Sequence, residues 1–339
     1  MCRCFVPGCG IVARDTAPRA RRVTGCGRIS YDPGNTARLV PDEGTETTMK
    51  PADTALAVLV AVIWGLGFVF TRYALTEMSP SLLNLLRFAI TALPCLLLPR
   101  PKLAWPVWIG ISLLLVWQYL TQTYGIAHGV PAGLTAVIVQ SQALFTVGFA
   151  ALLLGERPTG AQLAGIAVAA CGLLMICLTV GYDFTVLAFA VTMTAPISFA
   201  FTNLLLRRAR DVPMLDLFAW ISLASLPPLA LAAWVSDGVP AIIQSLTHLS
   251  PGVMGAMLAL SIGSTTIGYW IWGRLLHAYS AAQVVPFALL VPFIGAGASS
   301  LVFGETFGPL RLAGMLIVVA GLAIMLLFGR ARPPLPEVG

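Results

Sequence analysis

Long apolar runs with very few charged residues recur along this 339-residue chain from about residue 53 almost to its end. A helix needs about 20 apolar residues to cross the roughly 30 Å hydrocarbon core of a bilayer, and it satisfies its own backbone hydrogen bonds there. Ten runs meet this requirement, separated by short turn-rich pieces, and none shows the strict alternation of barrel strands. They lie at about 55–75, 81–98, 105–124, 132–153, 160–179, 184–206, 214–235, 252–275, 281–302 and 308–328.

The composition excludes a soluble globular protein. Hydrophobic residues make up 58% of the chain and charged residues only 10%, whereas soluble domains hold about 25% charged residues. The sequence therefore predicts an all-α polytopic membrane protein with the lipid bilayer as its surroundings. The net charge of +6 comes largely from the tail and loops, so it indicates membrane topology and not a nucleic-acid partner.

Lysine and arginine are distributed unevenly between the two sets of loops. Loops on the side where the first span starts hold nine, and the opposite loops hold two, Arg72 and Arg311. Because cytoplasmic loops are enriched in these residues, both chain termini are predicted to be cytoplasmic in a cell inner (plasma) membrane. The nine are Arg100, Lys102, Arg157, Arg207, Arg208, Arg210, Arg274, Arg330 and Arg332.

Two segments match at a constant offset of 149 residues. "GERPTGAQLAGIAVAACGL" (155–173) and "GETFGPLRLAGMLIVVAGL" (304–322) share a Gly-Glu pair at the start and several Gly, Ala and Leu positions. Each half then holds five spans, and an odd number inverts the second half relative to the first. Two inverted five-helix repeats, at 53–180 and 181–328, are typical of secondary transporters and are not required of a membrane enzyme.

The first 52 residues and the last 11, 329–339, read as tails. Residues 1–48 are basic and rich in Gly, Pro and Thr, and they contain no apolar core of a signal peptide. Cys2, Cys4, Cys9 and Cys26 match no paired zinc-ligand spacing, so no metal site or cofactor is predicted. The segment 1–52 is predicted to be a disordered cytoplasmic tail, and we hypothesise that translation starts at Met49.

The order of several loose motifs over the ten spans resembles the EamA branch of the drug/metabolite transporter superfamily. They are "IWGLGFVFTRYAL" (63–75), "LRFAITALPCLLL" (86–98), "VPAGLTAVIVQSQALFT" (130–146), "GERPTGAQLAG" (155–165) and "TIGYWIWGRLL" (266–276). The resemblance covers about residues 50–328. It implies a ten-helix, two-repeat fold around a central cavity, and export by a secondary mechanism of small metabolites, such as amino acids or derivatives of the O-acetylserine and cysteine type. Phe199 stands where relatives often have Trp.

Amide side chains lie inside the predicted spans, where an unpaired amide costs several kcal/mol. Gln118 and Gln122 are one helical turn apart and share a face, which is typical of a polar stripe along a pathway. Gln140 and Gln142 are about 200° apart on a helix, so one is expected to line the cavity and the other to bond a neighbouring helix. Both could equally be packing contacts. Asn203 and Tyr269 offer uncharged polar groups in the second half.

Arg87 is the one charged residue well inside a predicted span. A buried guanidinium costs roughly 2.5–3.5 kcal/mol at a helix centre. The Arg87 side chain either extends so that its guanidinium lies at the outer membrane interface or binds a substrate carboxylate inside the cavity. Trp64 is a candidate for an aromatic wall of the same cavity, or for plain packing. Arg72 is predicted to be an interfacial anchor.

Pro286 and Pro292 both lie in the ninth span, where they act either as a gate that bends or as static kinks. All Asp and Glu residues fall in the tail, loops or span ends, so no intramembrane proton carrier is evident. Coupling could reside in Glu156 or Glu305 at the hinges, or be absent, and the direction of transport stays open.

The favoured function is a secondary exporter of small polar metabolites working by alternating access, and a homodimer is compatible with the sequence. The first alternative keeps the fold and transports drugs or cationic compounds. A membrane-embedded enzyme or sensor is the second alternative. An enzyme would need paired carboxylates, a histidine cluster or a nucleophile–base pair at one depth, and the sequence offers none, so it predicts a protein that is not an enzyme.

Overall fold

The structure is a computed structural model that describes residues 28–31, 37–40, 49–181, 184–209 and 212–329. By internal contacts the chain divides into residues 1–48 and residues 49–339. Within the first unit, β1 (Arg28–Tyr31) and β2 (Ala37–Val40) form an antiparallel pair in which Arg28 faces Val40. A strand pair thus replaces the expected irregular chain over these eight residues, and most of the predicted tail lies outside the described residues.

Ten helical spans follow in the part of the second unit that the structure describes. Eight are long and apolar enough to cross a membrane, and α2 and α3 complete the series. The sequence-based prediction of ten spans is thereby confirmed. The spans are α1 (Pro51–Ala74), α2 (Pro80–Leu96), α3 (Trp105–Ala127), α4 (Ala132–Leu154), α5 (Gly160–Cys177), α6 (Val186–Ala209), α7 (Met214–Thr247), α8 (Pro251–Ala278), α9 (Ala281–Phe303) and α10 (Pro309–Phe328).

The seventh span differs most from its expected limits. It was expected to end near residue 235, but helix continues to Thr247 after a kink at Gly238, whose φ of 75° and ψ of 156° are non-helical. Glycine adopts this backbone region without a steric cost. The apolar pattern ends at the kink, which is why hydropathy alone gave the shorter span.

Because the spans alternate in direction, their ends form two faces. Face A carries the start of α1, the hinge 155–159 and the end of α10, and face B carries the opposite ends and the hinge 304–308. Contacts agree with this assignment, since the carboxylate of Glu305 accepts the backbone N–H of Ala132 at 2.9 Å, and both residues belong to face B.

The fifth helices of the two repeats, α5 and α10, pack closely through four glycines. A methyl group added at Gly165 would lie 2.6 Å from the carbonyl oxygen of Gly321, and one at Gly172 would lie 2.7 Å from that of Gly314. Small residues let helix backbones approach in membranes, where no hydrophobic effect drives association. The contact partner of Gly165 is Gly321 and that of Gly172 is Gly314, so residue numbers increase along α5 while they decrease along α10. The two helices are therefore antiparallel, as inverted repeats require.

The largest remaining helix contacts are also symmetric between the repeats: when each helix is replaced by its counterpart in the other repeat (α1 by α6, α2 by α7, and so on), each of these contacts maps onto an observed contact. The contact of α1 with α9 has its equivalent in α6 with α4, and that of α3 with α6 in α8 with α1. Helices α2 and α7 contact each other, as do α4 and α9, and each of these pairs maps onto itself. The two repeats are therefore interlocked, and the centre of the bundle lies between them.

Candidate substrate cavity

A cavity of ≈ 460 Å³ lies at the centre of the bundle. It is lined by all eight residues that the sequence suggested for the pathway, from α1, α2, α3, α4, α6 and α8. Polar groups are costly against lipid, so a cavity is where they are expected to gather. Their part in binding substrate stays a prediction. They are Trp64, Arg87, Gln118, Gln122, Gln140, Gln142, Asn203 and Tyr269.

Arg87 lies in the cavity wall and not at the membrane interface. It is 4% exposed, its Nε and Nη2 donate to the Thr265 hydroxyl at 3.2 and 3.0 Å, and its guanidinium lies 4.6 Å from the centroid of the Tyr119 ring. The alternative in which it reaches the interface is therefore wrong for this structure. Among the described residues no carboxylate pairs with Arg87, so its charge stays available to an anionic ligand.

Thr265 reaches Arg87 because α8 widens into a π-helix over Ala259–Ile267. There the Thr265 hydroxyl donates to the Leu260 carbonyl five residues earlier, at 3.1 Å, and Thr266 does the same to Ser261. Such segments occur frequently at functional sites. The widened turn also exposes the Ser264 carbonyl, which accepts from the Trp64 indole at 3.0 Å.

Gln140 and Gln142 both line the cavity, which differs from the expectation of one residue for each role. Regular α-helix stops at Gln140 and resumes at Gln142, so the angle of an unbroken helix does not apply. Each also bonds a neighbouring helix. Gln140 donates to the Ala288 carbonyl at 2.8 Å, and Gln142 accepts from Asn203 at 3.2 Å.

Pro292 explains why the Ala288 carbonyl lacks the donor of a regular α-helix. Pro286 is the second residue of a 3₁₀ stretch, Val285–Leu289, and Pro292 follows in the next turn. Proline has no N–H, so Pro292 cannot donate to the carbonyl four residues earlier, and that carbonyl belongs to Ala288. The two prolines thus interrupt α9 beside the cavity, and a gating role for them stays a prediction.

One side of the cavity is aromatic. The Trp64 ring lies 5.4 Å from that of Tyr269 and 5.0 Å from that of Trp272, and Phe218 stacks on Tyr269 at 3.7 Å. Aromatic faces attract cations and also pack against apolar groups. The wall therefore gives the cavity a second kind of surface beside the guanidinium.

Gln118 and Gln122 are both buried on α3 and both line the cavity, as the one-turn spacing predicts. The Gln118 Oε1 accepts no hydrogen bond from the described residues. Sequence reasoning missed Tyr119, which lies between them and presents its ring to Arg87. Nothing in the helical pattern distinguished this tyrosine from a packing residue.

No group of three or more His, Cys, Asp or Glu side chains in the described part of the chain is arranged to hold a metal ion. The carboxylates of the hinges lie at the two faces and not in the cavity. The cavity thus offers binding groups of three kinds: a guanidinium, neutral amides and hydroxyls, and aromatic rings.

Comparison with known proteins shows the family to which this chain belongs. The model of the EamA-like transporter family matches residues 54–178 and again 186–327. The chain is 34% identical over 292 residues to a protein of Salmonella typhimurium named a probable amino-acid metabolite efflux pump, covering 84% of this chain and 98% of that one. A protein of the same name from Escherichia coli is 33% identical, with 81% and 95% covered.

A probable terminal-alkyne amino-acid exporter of Streptantibioticus cattleyicolor is 26% identical over 79% of this chain and 91% of its own length. A solved crystal structure shares the fold at a TM-score of 0.58 and 17% identity, covering 83% of this chain and 98% of that one. The two matched ranges are the two five-helix halves. This multi-pass membrane protein, a transporter and small-molecule exporter, therefore belongs to the EamA-like transporter family.

Proposed function

We propose that this protein exports small metabolites that carry a carboxylate, namely amino acids and their derivatives, across the bacterial inner membrane. The observation that carries the proposal is the buried guanidinium of Arg87 in the wall of the central cavity, with no carboxylate partner among the described residues. The names of the Salmonella and Escherichia relatives support the same cargo class. O-acetylserine and cysteine are the first candidates to test.

The contacts of Arg87 orient its guanidinium without neutralising its charge. A hydroxyl and an aromatic ring face are both neutral. A carboxylate entering the cavity would therefore meet a full positive charge away from bulk water, where charge-assisted hydrogen bonds are shorter and stronger than neutral ones. The amides of Gln118, Gln122 and Asn203 would bind the polar remainder of the substrate.

The loop charges support the orientation that export requires. Face A carries most of the Lys and Arg residues of the loops, which favours a cytoplasmic face A and cytoplasmic chain termini. The cavity lining includes Leu206 at the end of regular helix in α6 and Met214 at the start of α7, both near face A. The cavity is thus placed to take up a cytoplasmic metabolite.

Transport by variants of Arg87 in inverted membrane vesicles tests the proposal. Arg87→Ala should lower uptake of radiolabelled cysteine or O-acetylserine by about 10- to 150-fold, because hydrogen bonds to charged groups contribute about 1.5–3 kcal/mol. Arg87→Lys should retain part of the activity, since it keeps the charge but loses the planar fork of donors. Unchanged uptake by Arg87→Ala, at equal protein levels, would remove Arg87 from the site and refute the proposal.

A resistance screen identifies the cargo within this class. Cells expressing the chain from Met49 are challenged with thiols, amino acids and toxic analogues, and the medium is searched for what accumulates. Dependence of both resistance and accumulation on Arg87 is the expected result. Resistance that persists in Arg87→Ala would point to a cargo without a carboxylate.

A second candidate is export of cationic or drug-like compounds. The aromatic wall of Trp64, Tyr269 and Trp272 favours it, because ring faces attract cations. The same vesicles separate the two functions. A cationic cargo should be lost in Trp64→Leu and gained or unchanged in Arg87→Ala, since the guanidinium repels it.

A further inference from the structure

The hinges that join α4 to α5 and α9 to α10 share one local structure. Each begins with a glycine in the left-handed region, Gly155 with a φ of 68° and Gly304 with a φ of 66°, and each glycine caps the preceding helix. A glutamate follows in both hinges. Because glycine adopts positive φ freely and ends helices in this way, the repeats present Glu156 at face A and Glu305 at face B.

Each hinge glutamate pairs with an arginine from the other repeat. Glu305 binds Arg72 near the end of α1, and Glu156 binds Arg207, which directly follows the regular helix of α6. Helices α1 and α6 open the two repeats, so the two ion pairs are equivalent under the exchange of repeats. Arg72, predicted to be an interfacial anchor, thus also pairs with a hinge carboxylate, which the sequence did not predict.

The carboxylate at face B is enclosed and has further contacts, while its partner Arg72 is 37% exposed. The Glu305 side chain is 6% exposed, its Oε1 accepts the N–H of Ala132 at 2.9 Å and its Oε2 accepts that of Gly133 at 3.2 Å. These are the first two residues of α4, where the helix end carries a partial positive charge. The Arg72 guanidinium also lies 4.4 Å from the centroid of the Phe303 ring.

The pair at face A lacks these contacts. The Glu156 side chain is 52% exposed and its Arg207 partner 33% exposed, and among the described residues Glu156 accepts a hydrogen bond from Arg207 alone. The repeat offset of 149 maps Ala132 and Gly133 onto Ala281 and Ala282, the first two residues of α9. No hydrogen bond joins the Glu156 carboxylate to either of these two described residues.

Helices α4 and α9 are both interrupted near their middle. Helix α4 breaks at Ser141, and α9 passes through the 3₁₀ stretch Val285–Leu289. The offset places the two breaks next to each other in the repeat. Such breaks divide each span into two halves, and interrupted spans of this kind form the central sites around which the repeats of transporters rock. The first half of α4 is fixed by Glu305, whereas the first half of α9 is not fixed by Glu156.

We propose that the two hinge glutamates are alternating latches for the two entrances of the cavity. In this structure Glu305 holds the start of α4 and closes face B. In the opposite state Glu305 releases Ala132 and Gly133, and Glu156 accepts the N–H groups of Ala281 and Ala282 to close face A. The inference goes beyond the proposed cargo, because it rests on transport by two repeats and not on what Arg87 binds.

The extent of the cavity agrees with a closed face B. On α1 its lining ends at Thr71, three residues before the helix ends, and on α3 it ends at Gln122, five residues before the helix ends. At face A it reaches the first residue of α7, Met214. The enclosed latch and the nearer end of the cavity are therefore on opposite faces.

Two cysteine pairs, equivalent under the offset of 149, test the latches in a variant of the full chain without its native cysteines. The face B pair is Ala132→Cys with Thr306→Cys, and the face A pair is Ala281→Cys with Arg157→Cys. Crosslinking by a short bifunctional maleimide is measured in membranes. The face B pair should crosslink preferentially in the parent protein. Glu305→Gln should raise crosslinking of the face A pair about fivefold, because it weakens only the state with face B closed.

Glu156→Gln should shift crosslinking in the opposite direction, and this opposed response distinguishes latches from general loss of structure. Should Glu305→Gln express poorly, Arg72→Gln removes the same ion pair and should act in the same direction. A ratio of the two crosslinks that neither change moves, or that both move alike, overturns the inference. Arg87→Ala should leave the ratio unchanged while abolishing carboxylate transport, so failure of the latch and failure of the proposed cargo give different results.

Discussion

The hydroxyl of Thr265 is the single hydrogen-bond acceptor that the described residues offer to Arg87. Its Oγ1 accepts from Nε and Nη2, while its own proton goes to the Leu260 carbonyl at 3.1 Å. Valine has nearly the shape of threonine and no acceptor. Thr265→Val should therefore leave the guanidinium buried but free to turn away from the direction in which it would meet a substrate carboxylate.

The size of the effect follows from the shared oxygen. A hydrogen bond to a charged group contributes about 1.5–3 kcal/mol, and the two donors of Arg87 compete for one hydroxyl, which places the loss near the lower figure. About 1.4 kcal/mol corresponds to a factor of 10. We expect the KM for a carboxylate substrate to rise about tenfold in Thr265→Val, with a smaller change in kcat, because binding is weakened and the movement of helices is not.

Initial rates in inverted vesicles, measured over a range of substrate concentrations, separate KM from kcat. The test compares a carboxylate substrate with its amide, which cannot pair with a guanidinium as an ion. Thr265→Ser keeps the hydroxyl and should restore the parent KM. Thr266→Val is the matched control, because Thr266 makes the same five-residue hydrogen bond in the π-helix, to Ser261 at 3.1 Å, and does not contact Arg87.

Three results would refute this reasoning. Equal effects of Thr265→Val and Thr266→Val would mean that the π-helix and not the contact with Arg87 matters. Equal loss with the carboxylate and the amide would mean that the guanidinium does not bind the carboxylate. Failure of Thr265→Ser to restore the KM would mean that the hydroxyl is not the group responsible.

Three further changes have defined outcomes. Gly172→Val should lower the midpoint of thermal unfolding in detergent, because its Cβ would lie 2.6 Å from a backbone nitrogen of α10 and overpacking costs about 1–3 kcal/mol. The control Gly148→Val, whose Cβ would have nothing within 4 Å, should leave the midpoint unchanged. Equal midpoints for the two variants would contradict the close crossing of α5 and α10. Gln118→Leu should reduce uptake more than Ser264→Ala does, and the reverse order would place Gln118 outside the pathway. At face B, the backbone N–H at the N-cap of α8 donates to the carboxylate of Glu77 and lowers its pKa below the usual 4.5. The stability from this contact is present above that value and is lost as pH falls through the lowered pKa, so the unfolding midpoints of the parent and Glu77→Gln should converge on acidification; a constant difference would exclude the carboxylate as the cause.

Much of the fold could be predicted because lipid imposes simple rules. Apolar length fixed the ten spans to within a few residues except at Gly238, where helix continues past the apolar run. The Gly-Glu pairs marked the repeat because each glycine is needed at positive φ. The cost of polar groups in hydrocarbon also explains why all eight suggested pathway residues line one cavity.

The site's finer geometry could not be predicted, because it depends on departures from regular helix. The break at Ser141 turns both Gln140 and Gln142 toward the cavity, against the angle of an unbroken helix. Thr265 looked like one of many span hydroxyls that bond their own helix, and only the π-helix brings it to Arg87. Arg87 and Thr265 are 178 residues apart in the chain, a separation that no local pattern spans.

The shared Gly-Glu start of the two hinges has an energetic consequence for transport. In this structure the enclosed contacts of Glu305 with Arg72 and with the start of α4 exist at one face only. If the opposite state forms the equivalent contacts with Glu156, then the bonds broken at face B are replaced by bonds of the same kind at face A. The free-energy difference between the states is then small, and a ligand needs only a few kcal/mol of differential binding to reverse their populations. A chain built from two repeats can thus move a substrate across the membrane without storing energy in either state.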